Sequence, residues 1–106
     1  MRAGELDHCI SIEAPPAAVD AYGQATGDWT VFAENIWAGR RDAGGREVFS
    51  AGRETALGTS VFRFYWLEGL RPDMVIVEAG QRYDILSIKE LGRREGLEVV
   101  TELRRD

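Results

Sequence analysis

Two neighbouring residues near the start of the chain, His8 and Cys9, have the side chains of a base and a nucleophile. An imidazole activates a thiol for attack on a carbonyl carbon only when the two side chains lie within hydrogen-bonding distance. Residues 8–13 alternate between two sets of side chains, which is typical of a half-buried β-strand. Because adjacent side chains of a strand point to opposite faces, we expect His8 to begin a strand and Cys9 not to act as a nucleophile.

The sequence lacks the residue patterns of metal and phosphate sites. One histidine and one cysteine cannot complete a tetrahedral zinc site, and the carboxylates are scattered along the chain. The glycines Gly44, Gly45 and Gly52 are not followed by the Lys-Ser or Lys-Thr pair of a phosphate-binding loop. We therefore expect a protein that is not an enzyme and that holds no metal or cofactor.

Three aromatic residues, Phe62, Phe64 and Trp66, have the spacing of side chains on one face of a strand, with Arg63 between the first two. On an exposed face such a row would stack the bases of single-stranded nucleic acid. On an inner face it would fill the core of a small barrel. The formal net charge of −5 favours the core, because nucleic-acid backbones bind basic surfaces. Binding of single-stranded nucleic acid through a small β-barrel remains the alternative function.

Charges of opposite sign recur close together between residues 40 and 54. They are Arg40 and Arg41 with Asp42, Arg46 with Glu47, and Arg53 with Glu54. If exposed, each pair contributes only about 0.2 to 1 kcal/mol to stability. Two interpretations are open: these residues form the solvated face of a short helix, or their charges select the surface of a partner protein.

The chain of 106 residues, of which 44% are apolar, has the size of one domain with one core, and we expect residues 1–106 to form it. Six segments have strand-like alternation: residues 8–13, 29–41, 59–67, 74–78, 81–89 and 97–103. Their number and spacing predict a mainly β fold, a small antiparallel barrel or sandwich. The tryptophans of the second segment, Trp29 and Trp37, are expected in the core or at its rim.

The connections between these strands also carry signals. Residues 42–56 have apolar positions three and four apart, which predicts one short helix or mobile loop between strands 2 and 3. Prolines and glycines predict a loop over residues 14–28. The mixed faces of the long second strand predict a bulge at Glu34 and Asn35. Ala79 and Gly80 predict a tight hairpin turn.

Targeting signals are not visible in the sequence. The longest apolar runs are far shorter than the roughly 20 residues of a membrane-spanning helix. Acidic residues Glu5 and Asp7 lie where a signal peptide requires an apolar stretch. We expect a protein that is made and used in a cytoplasm, or in an assembly built there, and that has no membrane partner.

An ordered set of landmarks resembles the small head-tail joining proteins of long-tailed phages and gene-transfer particles, also called head-closure or stopper proteins. The landmarks are residues 3–13, Tyr22 and Gly23 ahead of Trp29, residues 36–38, residues 45–47, Ala51 and Ala56 ahead of the strand near Thr59, and residues 80–88. Their order and spacing, which span nearly the whole chain, carry the resemblance. The strand after residues 42–56 departs from the family pattern, because it is less basic and unusually aromatic.

The resemblance implies a small antiparallel barrel with a helix or mobile loop between two strands. It also implies a ring of six or twelve copies in the neck of a particle, with the portal or adaptor protein above and the tail terminator or tail tube protein below. DNA would pass through the ring without specific binding, and a loop would close the channel. The residues implied as a channel gate or ring interface are Arg40, Arg41, Asp42, Gly44, Gly45, Arg46, Glu47, Phe49, Arg53 and Glu54.

Overall fold

Eight β-strands and one short 3-10 helix make up the described part of the computed structural model, which comprises residues 3–43 and 59–104. The 3-10 helix is Ala3–Glu5. The strands are β1 His8–Ala14, β2 Ala18–Val19, β3 Ala25–Thr26, β4 Thr30–Ala43, β5 Thr59–Tyr65, β6 Val75–Glu78, β7 Gln81–Leu91 and β8 Gly96–Leu103. The six longer strands correspond to the six predicted from alternation.

These six strands close into an antiparallel barrel with the order β1-β4-β5-β8-β7-β6. The barrel is completed where β6 pairs with β1, with Ile12 opposite Ile76. The prediction of a mainly β fold with a small antiparallel barrel is therefore confirmed. Two further features of the described chain follow from this closure: each barrel strand has two neighbours, and alternate side chains point into one common core.

The short strands β2 and β3 form a separate two-stranded sheet in the region predicted to be a loop. Asp20 organises the turn between them, because its Oδ1 accepts hydrogen bonds from the backbone N–H groups of Tyr22 at 2.8 Å and Gln24 at 2.9 Å. Gly23 has a φ of 82°, which favours glycine. The loop prediction was wrong for five residues: Ala14, which ends β1, and the four residues of β2 and β3, since two-residue strands are too short to show an alternating pattern.

The predicted bulge in the second long strand is confirmed. Ile10 of β1 lies opposite Ile36 of β4, whereas Ile12 lies opposite Ala33, so β4 contains one extra residue between these pairs. Asn35, which lies in this stretch, has a φ of 58°, a conformation that asparagine tolerates better than most residues. The bulge lets β4 bend while its inward residues stay directed at the core.

The barrel interior is filled by the aromatic row and its neighbours. Phe62 and Phe64 are 0% exposed, and the Phe62 ring meets the Tyr83 ring edge to face at a centroid distance of 5.4 Å. Trp66 packs against the same core and is partly buried. The core interpretation is confirmed, and Phe62 and Phe64 cannot stack nucleic-acid bases. Trp37 was wrongly expected in the core or at its rim, since it is 56% exposed on the outer wall of β4.

The predicted hairpin turn at Ala79 and Gly80 is confirmed, and both residues have positive φ, 52° and 78° respectively. β6 and β7 pair directly up to this turn, with Glu78 opposite Gln81. Two positive φ angles in a two-residue hairpin turn define the type that favours Asn-Gly. Alanine is strained at the first of these positions because its Cβ crowds the backbone.

The variant Ala79→Asn should therefore raise the free energy of unfolding by about 0.5 to 1 kcal/mol, because asparagine adopts positive φ at lower cost. Urea unfolding followed by tryptophan fluorescence measures the change. Ala17→Asn, at an exposed position without positive φ, is the matched control and should change stability little. An equal gain in both variants would contradict the role assigned to backbone strain.

Among the described residues, no helix is long and apolar enough to cross a membrane.

Candidate functional site: the polar end of the barrel

Polar side chains converge at one end of the barrel. This end contains the last residues of β4 and the first residues of β5. This polar end cluster consists of His8 of β1, Arg40 and Asp42 of β4, Ser60 of β5 and Glu78 of β6. Each member occupies an inward position of its strand, since it alternates with residues of the buried core. The cluster therefore lies directly on the apolar interior.

Glu78 is the centre of the cluster and is 7% exposed. Its Oε2 lies 2.5 Å from His8 Nδ1, and its Oε1 accepts a hydrogen bond from Arg40 Nη1. A carboxylate this far from solvent requires hydrogen bonds and a compensating charge. Glu78 thus joins the first residue of β1 to the far end of β4, across 70 and 38 positions of sequence respectively.

Arg40 connects the cluster to the aromatic core. Its guanidinium carbon lies 5.8 Å from the centre of the Phe62 ring and 5.3 Å from that of Tyr83, within the range of cation–π attraction. Burial of the guanidinium disfavours its charge, but hydrogen bonds to Asp42 and Glu78 outweigh burial and raise the pKa of Arg40 above its ordinary value. Arg40 is therefore a permanent cation over the barrel opening.

Asp42 extends the cluster to the neighbouring strand. Its Oδ1 accepts hydrogen bonds from Ser60 Oγ and Arg40 Nε, each at 2.9 Å. These hydrogen bonds, from Ser60 first and then Arg40, lower the pKa of the Asp42 carboxyl below its ordinary value. The backbone carbonyl of Ser60 in turn accepts a hydrogen bond from the Thr101 hydroxyl at 2.9 Å. This hydrogen bond connects β8 to the cluster.

Asp42→Asn should make the free energy of unfolding less dependent on pH in the acid range. Because the folded pKa of Asp42 is lowered, the stabilisation by its carboxylate is fully present above the unfolded-state pKa and is lost as pH falls through the folded pKa. The side chain is 69% exposed, so solvent screening keeps the difference below about 1 kcal/mol. Urea unfolding of both proteins at about pH 7 and about pH 3 measures it.

Ser60→Ala removes the hydrogen bond that contributes most to this pKa shift and should reduce the same acid dependence. A difference between Asp42→Asn and the natural chain that stays constant with pH would contradict this account.

The side chains of the polar end cluster pair with one another and connect strands, and they are not arranged as a catalytic site. Its histidine and carboxylates are engaged by cations and hydrogen bonds, and Cys9 points to the opposite face of β1, where it is exposed. No group of three potential metal ligands occurs in the part of the chain that the structure describes. The arrangement fixes the ends of β1, β4, β5 and β6 relative to one another.

A second feature lies on the outer wall near the same strands. An open pocket with a volume of about 240 Å³ is lined by Glu5, Gly39, Arg40, Arg41, Val61 and Arg63. A Cβ atom on Gly39 would lie 2.9 Å from the carbonyl oxygen of Glu5, so only glycine allows the 3-10 helix to approach β4 this closely. The pocket is shallow and contains no buried catalytic pair.

The structure divides the residues predicted for a gate or ring interface into three groups. Arg40 and Asp42 belong to the polar end cluster, and Arg41 is exposed on the outer wall. Asp42 was predicted to start the inserted segment, but β4 continues through Ala43, and Asp42 pairs with Ser60. The others, Gly44, Gly45, Arg46, Glu47, Phe49, Arg53 and Glu54, lie outside the described residues, as does the predicted helix or loop apart from its first two positions.

Sequence reasoning missed three members of the cluster, His8, Ser60 and Glu78. A signal for Glu78 was present, because alternation in the short strand Val75–Glu78 places this acid on the same face as the core residue Ile76. An inward acid requires a cation, and Arg40 is likewise inward in β4. Only the closed barrel shows that these two positions meet.

Comparisons with known proteins identify the family of this chain and two solved structures of similar fold. A family model described as phage head completion protein matches residues 1–104. Among solved structures, a protein from Shigella flexneri 2a, determined in solution, is 22% identical, with 97% of this chain and 96% of that chain covered and a TM-score of 0.75. A chain in the virion of a native gene transfer agent particle is 18% identical, with 93% and 96% covered and a TM-score of 0.69. A comparison with curated protein sequences gave no match.

Proposed function

Because the chain belongs to the phage head completion protein family, we propose that it is a structural component of the neck of a phage-like particle, where copies of it form a ring. The ring joins the portal or adaptor protein above to the tail terminator or tail tube protein below. It closes the DNA channel and provides the docking face for the tail. The observation that carries this proposal is the family match over nearly the whole chain.

The fold supports this role. The barrel is similar to that of a chain in the virion of a native gene transfer agent particle. A structural component must keep its shape under load from its neighbours. The barrel is suited to this because it has one continuous hydrogen-bonded wall and a packed core. The pocket on the outer wall and the polar end cluster lack the geometry of a reaction site.

The polar end cluster supports a gate in the inserted segment. The inserted segment connects the end of β4 to the start of β5. Hydrogen bonds between Arg40, Asp42 and Ser60 link these two strand ends, and the strands pair up to Ala43 and Thr59. Because these strand ends are fixed, the segment would start and end at the same place on every copy in a ring. We assign channel closure to residues 42–56, with the charged pairs of this segment in contact with neighbouring copies.

The charge of the chain agrees with free passage of DNA. A formal net charge of −5 disfavours tight binding to phosphates, and a strongly basic channel would hold the DNA that the particle must release. The alternative function, stacking of single-stranded nucleic acid on the aromatic row, is not supported because Phe62 and Phe64 are 0% exposed.

Removal of this chain from the producing strain tests the proposed function. Particles made without it should have heads that lack stable DNA or fail to join tails, and expression of the chain from a second gene should restore both. Native mass measurement of the chain mixed with its adaptor or portal ring should show a closed ring of six or twelve copies. Unchanged particles, together with no binding to either ring, would overturn the proposal.

A further inference from the structure

One side of the barrel wall exposes two large aromatic residues, Trp37 of β4 at 56% and Tyr65 of β5 at 52%. Ala38 lies opposite Phe64, so the same register places Trp37 next to Tyr65 on the outer face. Arg41, two outward positions further along β4, is exposed and has no ion pair with the described residues. We call Trp37, Tyr65 and Arg41 the aromatic face; it combines apolar area with the positive charge of Arg41.

A different side of the wall combines an apolar residue with negative charge. Leu86, at a bulge in β7, is 46% exposed. Asp84 of β7 lies directly opposite Glu102 of β8, and like charges in this arrangement destabilise a sheet. Arg104 Nη1 lies 3.6 Å from an oxygen of Asp84 and compensates one of the two carboxylates. We call Leu86, Asp84 and Glu102 the acidic face, and it retains an excess negative charge.

The strand order separates these two faces around the barrel wall. In the order β1-β4-β5-β8-β7-β6, the aromatic face lies on β4 and β5 and the acidic face on β8 and β7, so their centres are two of six positions apart. A ring built by head-to-tail contacts requires two different, mutually complementary faces on each copy. Isologous dimers, in contrast, use one face that is complementary to itself.

We propose that the aromatic face of one copy of this chain binds the acidic face of the next. In this contact Trp37 and Tyr65 cover Leu86, and Arg41 supplies the positive charge that the Asp84–Glu102 pair lacks. Aromatic residues and arginine are the types enriched in the centres of protein interfaces. The inference rests on the proposed ring and specifies which surfaces form it.

A cross-linking experiment on assembled particles tests the contact. The chain has one cysteine, Cys9, which is exposed and lies opposite Trp37 in the register, so it is a natural reporter on the aromatic face. Particles that carry Leu86→Cys are treated with a short bismaleimide and analysed under denaturing conditions. We expect a ladder of covalent multimers, because each copy would be joined to two neighbours.

Three matched variants define the result. Leu86→Cys combined with Cys9→Ser should lose the ladder, and Arg93→Cys, at an exposed turn position outside both faces, should not give one. Arg41→Glu in the Leu86→Cys chain should deplete the ladder, and adding Glu102→Arg should restore it, because the exchange re-creates the opposite charges. Restoration by the second exchange also shows that the first did not simply unfold the protein.

The outcomes separate this inference from the proposed function. A covalent dimer without higher multimers, or an equal ladder from Arg93→Cys, would overturn the head-to-tail contact between these faces. Particles that contain the chain at normal amounts but give no ladder would overturn the contact and leave the ring in place. Absence of the chain from particles, measured by mass spectrometry, would overturn the proposed function and the contact with it.

Discussion

Particles that carry a deletion of residues 44–51 are expected to lose their DNA, although the variant chain folds. The fold should survive because β4 and β5 already pair from Ala38 opposite Phe64 to Ala43 opposite Thr59. Residues 52–58 would remain to connect these neighbouring strand ends, and hairpin loops of two to five residues are sufficient for that connection. DNA should be lost because the deletion removes half of the proposed gate.

Two measurements check this prediction: thermal unfolding of the purified variant, and the DNA content of particles complemented with it. The matched control replaces residues 44–51 by an equal number of glycines and serines, which keeps the length but removes the charged and aromatic side chains. Loss of DNA in both variants would show that the side chains of residues 44–51, and not only the length of the segment, are needed to close the channel. A variant that no longer folds, or particles that keep their DNA, would contradict the proposed role of residues 42–56.

Replacing Glu78 with alanine is expected to give the largest loss of stability among single substitutions in the polar end cluster, about 3 kcal/mol. The substitution removes the carboxylate that faces both Arg40 and His8, and it leaves the guanidinium over the core with Asp42 as its remaining acidic partner. Removal of one member of a buried ion pair costs far more than the net contribution of the intact pair. Urea unfolding at neutral pH measures the change.

Two further variants keep this prediction testable if Glu78→Ala does not fold. Glu78→Gln preserves the shape and one hydrogen-bond acceptor, so its loss should be smaller, about 1 to 2 kcal/mol. Arg71→Ala breaks an ion pair with Asp73 in which both side chains are more than half exposed, and it should cost less than about 1 kcal/mol. Equal losses in Glu78→Gln and Arg71→Ala would contradict a buried cluster that holds the strand ends.

Local pattern was sufficient to predict most of the barrel. Alternation identified the six long strands, and it assigned Phe62 and Phe64 to the core because bulky residues recurred at every second position. The bulge at Asn35 and the turn at Ala79 were also predictable, since both depend on neighbouring residues in the chain. In each case the physical cause lies within a few residues of the feature.

The candidate site was less predictable because its contacts are distant in sequence. His8 and Glu78 meet only when β1 and β6 close the barrel, and sequence patterns report which face a residue occupies but not which residue it meets there. Trp37 was placed in the core because tryptophan usually buries its large surface. Its exposure on the outer wall depends on the phase of β4 after the bulge, which alternation alone leaves undetermined.

Closure of the barrel has a consequence for how copies of this chain can associate. A sheet with a free edge recruits further strands through its backbone, and this reaction accepts almost any extended peptide. In the described residues each of the six long strands already has a neighbour on both sides. Contacts between barrels therefore depend on side chains such as Trp37 and Leu86, and such contacts are more selective than edge-to-edge pairing of strands. In the proposed ring, where identical copies lie side by side, closure of the barrel therefore disfavours fibre growth through its strands.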